Sequence, residues 1–167
     1  DSIPSNDGYT RMGYAVQQAG KYLLQLKSNE PSATRNRPYY LILLTDGQPT
    51  GDTRDPVQEA RNLANSGIKT FVIGIDLKLT LLENIATSGQ TGKAYYVTNQ
   101  SSIDSAFAQI ANTATTEVCD DLDNDCDGQT DEDWPTKGKA CTVGSGGCQG
   151  TGKYICTPDK KAVQCSA

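Results

Sequence analysis

Apolar residues recur at helical spacing early in the chain. Met12, Ala15, Val16, Ala19, Tyr22, Leu23 and Leu26 fall on one face, which predicts an amphipathic helix over residues 10–26. A polar, proline-containing stretch from Ser28 to Pro38 separates it from Tyr39-Tyr40-Leu41-Ile42-Leu43-Leu44, which ends in Thr45-Asp46-Gly47. A run that does not alternate predicts a strand buried on both faces, as in a parallel sheet. Asp55 suits an N-cap, Pro56 the first helical position and Gly67 the stop of a second helix with Val57, Ala60, Leu63 and Ala64 inward. Thr70 to Ile75 predicts a second buried strand, Leu79 to Ala86 a short helix closed by Gly89, and Ala94 to Val97 a third strand. Ser101 and Asp104 form a capping-box-like start for a last helix lined by Ile103, Phe107, Ile110, Ala111 and Ala114. Helix and strand in strict alternation predict an α/β fold with a parallel sheet and right-handed crossovers.

The periodicity stops at Cys119, where short polar segments and turns take over. Residues 1–118 hold no cysteine; Cys119, Cys126, Cys141, Cys148, Cys156 and Cys165 all follow. An even count crowded into a glycine-rich tail reads as a disulfide framework, which places the chain in an oxidising compartment and predicts secretion. A zinc ribbon is the alternative, but its Cys-x-x-Cys pairs are missing. The expected organisation is an α/β domain over 1–118, an acidic loop over 119–134 and a small irregular Cys/Gly-rich module over 135–167. Cys119 with Cys126 is the expected bridge around the acidic loop. The last four cysteines allow three connectivities, which stay open. Lys153 to Cys156 and Ala162 to Cys165 predict a β-hairpin around a turn at Pro158-Asp159.

Charge changes the picture locally. Of the 20 acids, eight lie in residues 119–133, which hold no Lys or Arg; the remainder has 12 acids against 15 bases. The net charge of −5 therefore reports one site, and no broad basic footprint for nucleic acid is visible. With 36% hydrophobic residues and a mean hydropathy of −0.53, no apolar run approaches the ~20 residues of a membrane helix. The chain has no histidine, which removes Ser-His-Asp and Cys-His catalysis and imidazole-based zinc sites. Gly147-x-x-x-x-Gly152-Lys153 matches part of a phosphate-binding loop, but Tyr154 stands where Ser or Thr is needed and no buried strand precedes it.

The acidic stretch carries the chemistry. Asp123-x-Asp125-x-Asp127-Gly128 is the opening of an EF-hand-like calcium loop: alternating carboxylates converge on one centre, Gly128 permits a sharp turn, and the Gln129 carbonyl adds a ligand. The twelfth position is Trp134 rather than Glu, and no flanking helices are predicted. The pattern resembles thrombospondin type 3 repeats and, more closely, the Cys/Asp-rich metal-binding motifs of bacterial surface proteins. That resemblance implies that Asp131, Glu132 or Asp133 completes the shell and that Asp121 enters from the other end. The bland alternative is a solvated acidic linker.

Leu41-Ile-Leu-Leu-Thr-Asp-Gly47, the run Gly67 to Ile75, and Gly8-Tyr9-Thr10-Arg11-Met12 leading into a helix resemble, in order and spacing, the later half of von Willebrand factor A-type domains. The resemblance implies a Rossmann-like half domain lacking the family's first strands, with Tyr39 to Leu44 as its fourth strand. It also implies that Thr10 and Asp46 are two parts of a metal-ion-dependent adhesion site. The third part, an Asp-x-Ser-x-Ser loop, is missing; Asp1-Ser2-Ile3-Pro4-Ser5 comes nearest. A completed site would hold magnesium and accept a partner's carboxylate. The fourth strand would be an exposed apolar edge, an invitation to pairing, to be completed by another chain or segment.

The reading that follows is a secreted or cell-surface, non-enzymatic adhesion module, bacterial by resemblance, with a structural calcium site. The alternative is a structural subunit of an extracellular filament, assembled through the fourth-strand edge. An enzyme is disfavoured because the carboxylates sit in one metal loop rather than as a separated acid–base pair.

Overall fold

The computed structural model describes residues 8–31, 38–125 and 128–167. The chain divides into two compact units, residues 1–112 and 113–167.

The first unit is built on α1 (Met12–Ser28), β1 (Tyr39–Thr45), α2 (Pro56–Asn65), β2 (Ile68–Ile75), α3 (Thr80–Ser88), β3 (Tyr95–Val97) and α4 (Gln100–Ala114). The strands form a parallel sheet in the order β1-β2-β3, with Tyr39 opposite Ile68 and Ile73 opposite Tyr95. As predicted for Thr70 to Ile75, the central strand is buried, and on both faces. Val72 packs on one side with Met12, Ala60, Leu82, Ile85 and Ala86; Phe71 and Ile73 pack on the other with Val97, Ala106 and Ile110. Three helices thus cover one face and α4 the other. Strand β1, whose unalternating run predicts burial on both faces, differs: it lies at the edge of the described sheet, and Ile42 and Leu44 on one of its faces are 40% and 49% exposed.

The helix ends follow local chemistry. Asp55 Oδ1 accepts the Val57 N–H at 2.9 Å, Pro56 opens α2, and Gly67 beyond it takes φ +78°. The start of α4 differs from the expected Ser101/Asp104 box. Asn99 Oδ1 accepts the Ser102 N–H, and Ser102 Oγ accepts the N–H groups of Thr98 and Asn99, so the reciprocal cap begins two residues earlier. Asp104 instead accepts the Gln100 amide. Ala106 and Ile110 carry the inner face of α4, and Phe107, expected inside, is exposed.

The second unit has an antiparallel sheet in the order β4-β5-β6, from Ala140–Val143, Gly150–Cys156 and Val163–Cys165. The predicted hairpin is β5-β6, with Tyr154 opposite Cys165. Strand β4 escaped the sequence pattern because Ala-Cys-Thr-Val lacks a large apolar alternation; it pairs through Cys141 opposite Gly152. Two disulfides close this unit, Cys119–Cys156 and Cys141–Cys165. The expected Cys119–Cys126 bridge is therefore corrected: the Cys119 N–H donates to the Lys160 carbonyl, which sets Cys119 beside the end of β5. Cys148, expected in a bridge, is exposed and unpaired among the described residues. Cys126 lies outside them.

Candidate metal centre

The acidic segment wraps around a residue that the spacing argument passed over. Glu117, only 5% exposed, accepts three backbone N–H groups: Asn124 at 2.5 Å and Asp125 at 2.9 Å on Oε1, and Asp131 at 3.1 Å on Oε2. Asn124 Oδ1 in turn accepts the Val118 N–H at 2.9 Å. The loop is thus closed by a carboxylate gripping its amides, not by the disulfide the sequence suggested.

This fold sorts the carboxylates into two sets. In the first, the side-chain oxygens of Glu117, Asp125 and Glu132 come within 4.8 Å of one another. Asp123 lies on the same loop. Its Oδ2 accepts the Gly128 N–H, while Oδ1 is buried with no hydrogen-bond partner among the described residues. Calcium oxygens at 2.3–2.6 Å from the ion stand roughly 3–5 Å apart, so converging carboxylates with one orphaned oxygen fit a hard divalent cation. In the second set, Asp131 and Asp121 face Lys137. The Asp131 side chain is 2% exposed; it accepts the N–H groups of Asp120 and Asp121 and pairs with the Lys137 ammonium, which also meets Asp121 Oδ1 at 2.6 Å. Burial pushes the Asp131 carboxyl up, but Lys137 and the two amides outweigh it and leave it lowered. Burial likewise pushes Lys137 down, and its two carboxylate partners more than reverse this.

Of the residues nominated from spacing, Asp125 and Glu132 converge with Glu117, Asp123 holds the Gly128 N–H on the same loop, and Asp121 and Asp131 belong to the lysine-paired set. Asp127 lies outside the described residues, and Gln129 is exposed. Cys119, Cys156 and Asp131 also cluster, but those sulfurs are joined to each other and offer no thiolate. Glu117 was missed because it precedes the acid-dense stretch by two residues. Lys137 was missed because its contact depends on turns that no periodicity records.

In the first unit the Thr10 segment is held against the loop after β1. The Thr10 N–H donates to Thr50 Oγ1 at 2.9 Å, and the Thr50 N–H to the Thr10 carbonyl at 3.0 Å. A Cβ on Gly47 would stand 3.1 Å from Thr10 Oγ1, so this hydroxyl adjoins the exposed Asp46-Gly47 turn at the C-terminal end of β1. Asp52, unnoticed in the sequence, ties the loop to α1 by accepting the N–H groups of Tyr14 at 2.7 Å and Arg54 at 3.0 Å. Burial raises the Asp52 carboxyl; hydrogen bonds from the Arg54, Tyr14 and Gly13 amides and the nearby Arg54 charge outweigh it, and the net shift is downward. Two oxygens are too few for an octahedral magnesium shell; an Asp-x-Ser-x-Ser segment is not found among the described residues.

Residues 1–109 match the von Willebrand factor type A domain family, which is well over half of the chain. The chain belongs to that family. Residues 107–132, which include Glu117 and most of the acidic segment, match the family described as "Putative metal-binding motif" of the copper-binding MopE type. Mouse matrilin-2 is 28% identical over 123 residues, covering 70% of this chain; the match spans only 12% of matrilin-2. Two solved structures are similar to the A-type domain. An uncharacterised membrane-spanning protein from Vibrio fischeri shares 21% identity over 57% of this chain and 53% of its own, at a TM-score of 0.41. The proximal thread matrix protein 1 of the mussel byssus, described with a zinc-occupied MIDAS motif, shares 25% over 64% of this chain and 26% of its own, at 0.45. No described helix of this von Willebrand A-type chain is long and apolar enough to cross a membrane.

Proposed function

We propose that this von Willebrand A-type chain is an extracellular, non-enzymatic protein-interaction module whose acidic segment holds one structural calcium ion. The observation that carries the calcium reading is the convergence of Glu117, Asp125 and Glu132; Asp123 on the same loop keeps one carboxylate oxygen buried with no hydrogen-bond partner among the described residues. When bound, calcium neutralises carboxylates that otherwise repel one another and ties residues 117–132 into one turn. Glu117 grips the loop amides with or without the ion, so the site is partly organised in advance. Two disulfides within 119–165 support an oxidising, extracellular setting.

The interaction surface on this reading is the end of the sheet around Thr10 and Asp46, with magnesium bound there once further oxygen ligands are supplied. Binding of the full chain to immobilised extracellular-matrix proteins, in magnesium and in EDTA, tests it. Magnesium-dependent binding that Asp46→Ala abolishes supports the reading; binding indifferent to both overturns it.

A second reading, assembly through β1, is favoured by a specific observation. Among the described residues the strand pairs on one side only, and Ile42 and Leu44 stand exposed along it. Sedimentation velocity over a concentration series separates the two: self-association lost on Leu44→Lys supports assembly, and a monomer at all concentrations excludes it.

A further inference from the structure

We infer that Lys137 is a resident cation of the acidic segment, occupying a place between Asp121 and Asp131 that a divalent ion would otherwise take. The inference deepens the calcium reading and rests on it only for the choice of ion. Asp131 is the most buried carboxylate of the lysine-paired set, and the hydrogen bonds its side chain accepts from the described residues all favour its charge: two amides and one ammonium. Lys137 is held for this task by its own backbone. The Trp134 N–H donates to the Asp131 carbonyl, the Lys137 N–H to the Trp134 carbonyl, and the Gly138 N–H to Tyr154 on β5. Asp121 and Asp131 both adopt the left-handed region, at φ +68° and +53°, which suits Asp better than most residues and turns both side chains to the same ammonium. The three line a cleft of about 450 Å³ together with Trp134, Thr130 and Glu132, room enough for an ion and its waters.

The physical consequence is a division of labour. A buried carboxylate deprived of its partner charge is costly, so Asp131 needs a cation in every state of the protein. Lysine supplies it covalently and independently of the medium. The carboxylates of Glu117, Asp125 and Glu132 are left as the part that responds to calcium. Lys137 is therefore a positioning residue that sets how many ions the segment takes.

The test counts calcium ions on the full, disulfide-intact chain by native mass spectrometry, for wild type, Lys137→Arg and Lys137→Gln. Glutamine ends one atom shorter with two N–H donors in place of three, and it removes the charge. The expected result is one additional ion in Lys137→Gln and none in Lys137→Arg. An unchanged count in Lys137→Gln overturns the inference, whatever the wild-type count. A wild-type count of zero with a gain of one in Lys137→Gln would instead sink the calcium reading and leave the resident cation standing. If Lys137→Gln folds only when calcium is present, as read by Trp134 fluorescence, the ion has replaced the lysine and the inference holds; failure to fold at any calcium concentration overturns it.

Discussion

Glu117 shows how much one side chain decides. It is buried, and its side chain accepts from three amides of the loop that follows it. Glu117→Ala strands those donors, at about 1–3 kcal/mol for each one that water cannot reach. The expected loss is about 2–4 kcal/mol in the second unit. The chain's single tryptophan, Trp134, lies in that unit, so its fluorescence during urea unfolding reports it selectively. A shift in midpoint equivalent to less than about 0.5 kcal/mol, the size of an ordinary surface change, counts against the role. Asp52 gives a pH prediction in the first unit. Its carboxyl is lowered in the fold, so its contribution is fully present above the unfolded value near 4 and is lost as pH falls through the lower folded value. Urea midpoints measured from pH 6 to pH 2 should fall less steeply for Asp52→Asn than for wild type. Tyr96 has the opposite sign: burial and its hydrogen bond to Glu83 push the phenol up to about 12. The stability it contributes is present below the unfolded value near 10 and is lost as pH rises through about 12. Tyr96→Phe should flatten that alkaline loss.

The elements differ in how readily their sequences announce them. Helices α1 to α3 and strands β1 and β2 were legible because period and punctuation agree: Asp55-Pro56 opens α2 and Gly67 follows its end. The cap of α4 was misplaced because Asn99, Ser101, Ser102 and Asp104 all offer cap chemistry, and only the observed hydrogen bonds distinguish them. Strand β4 was missed because a short Ala-Cys-Thr-Val segment is held by its neighbour and by sulfur rather than by an apolar face. Cysteine pairing was illegible in principle, since spacing along the chain says nothing of the approach of Cys119 to β5. That sulfur dependence is testable: removing Cys141–Cys165 with a double serine substitution should cost the second unit about 2–4 kcal/mol. The same fluorescence assay measures it, and an unchanged midpoint would show that β4 holds without its bridge.

For the whole molecule, the proposed metal effect belongs to one unit. Calcium at a hundredfold excess over its Kd stabilises the form that binds it by about 2.7 kcal/mol. Scanning calorimetry in calcium and in EGTA should move a transition shared with Trp134 fluorescence and leave the other in place. Equal shifts in both, or none, would contradict a calcium site confined to the second unit. The candidate site was half legible: alternating carboxylates and Gly128 marked the segment. The division between calcium-facing and lysine-paired carboxylates was not, because it arises from turns that bring Glu117 and Lys137 in from outside the acidic run.

The bridge between Cys119 and Cys156 has a mechanical meaning. Pulled by its two ends, the chain bears tension through that covalent link, so the 37 residue steps it encloses carry no load. At about 3.3–3.6 Å per residue, ~120–130 Å of contour is hidden from extension. The acidic segment sits inside this slack, shielded from stretching while the parallel sheet ahead of it takes the strain. Reduction of both bridges would release the hidden length in a force trace, whereas opening Cys119–Cys156 alone shifts the load onto Cys141–Cys165 and frees only part of it. Full reduction turns a stiff knot into a compliant tether.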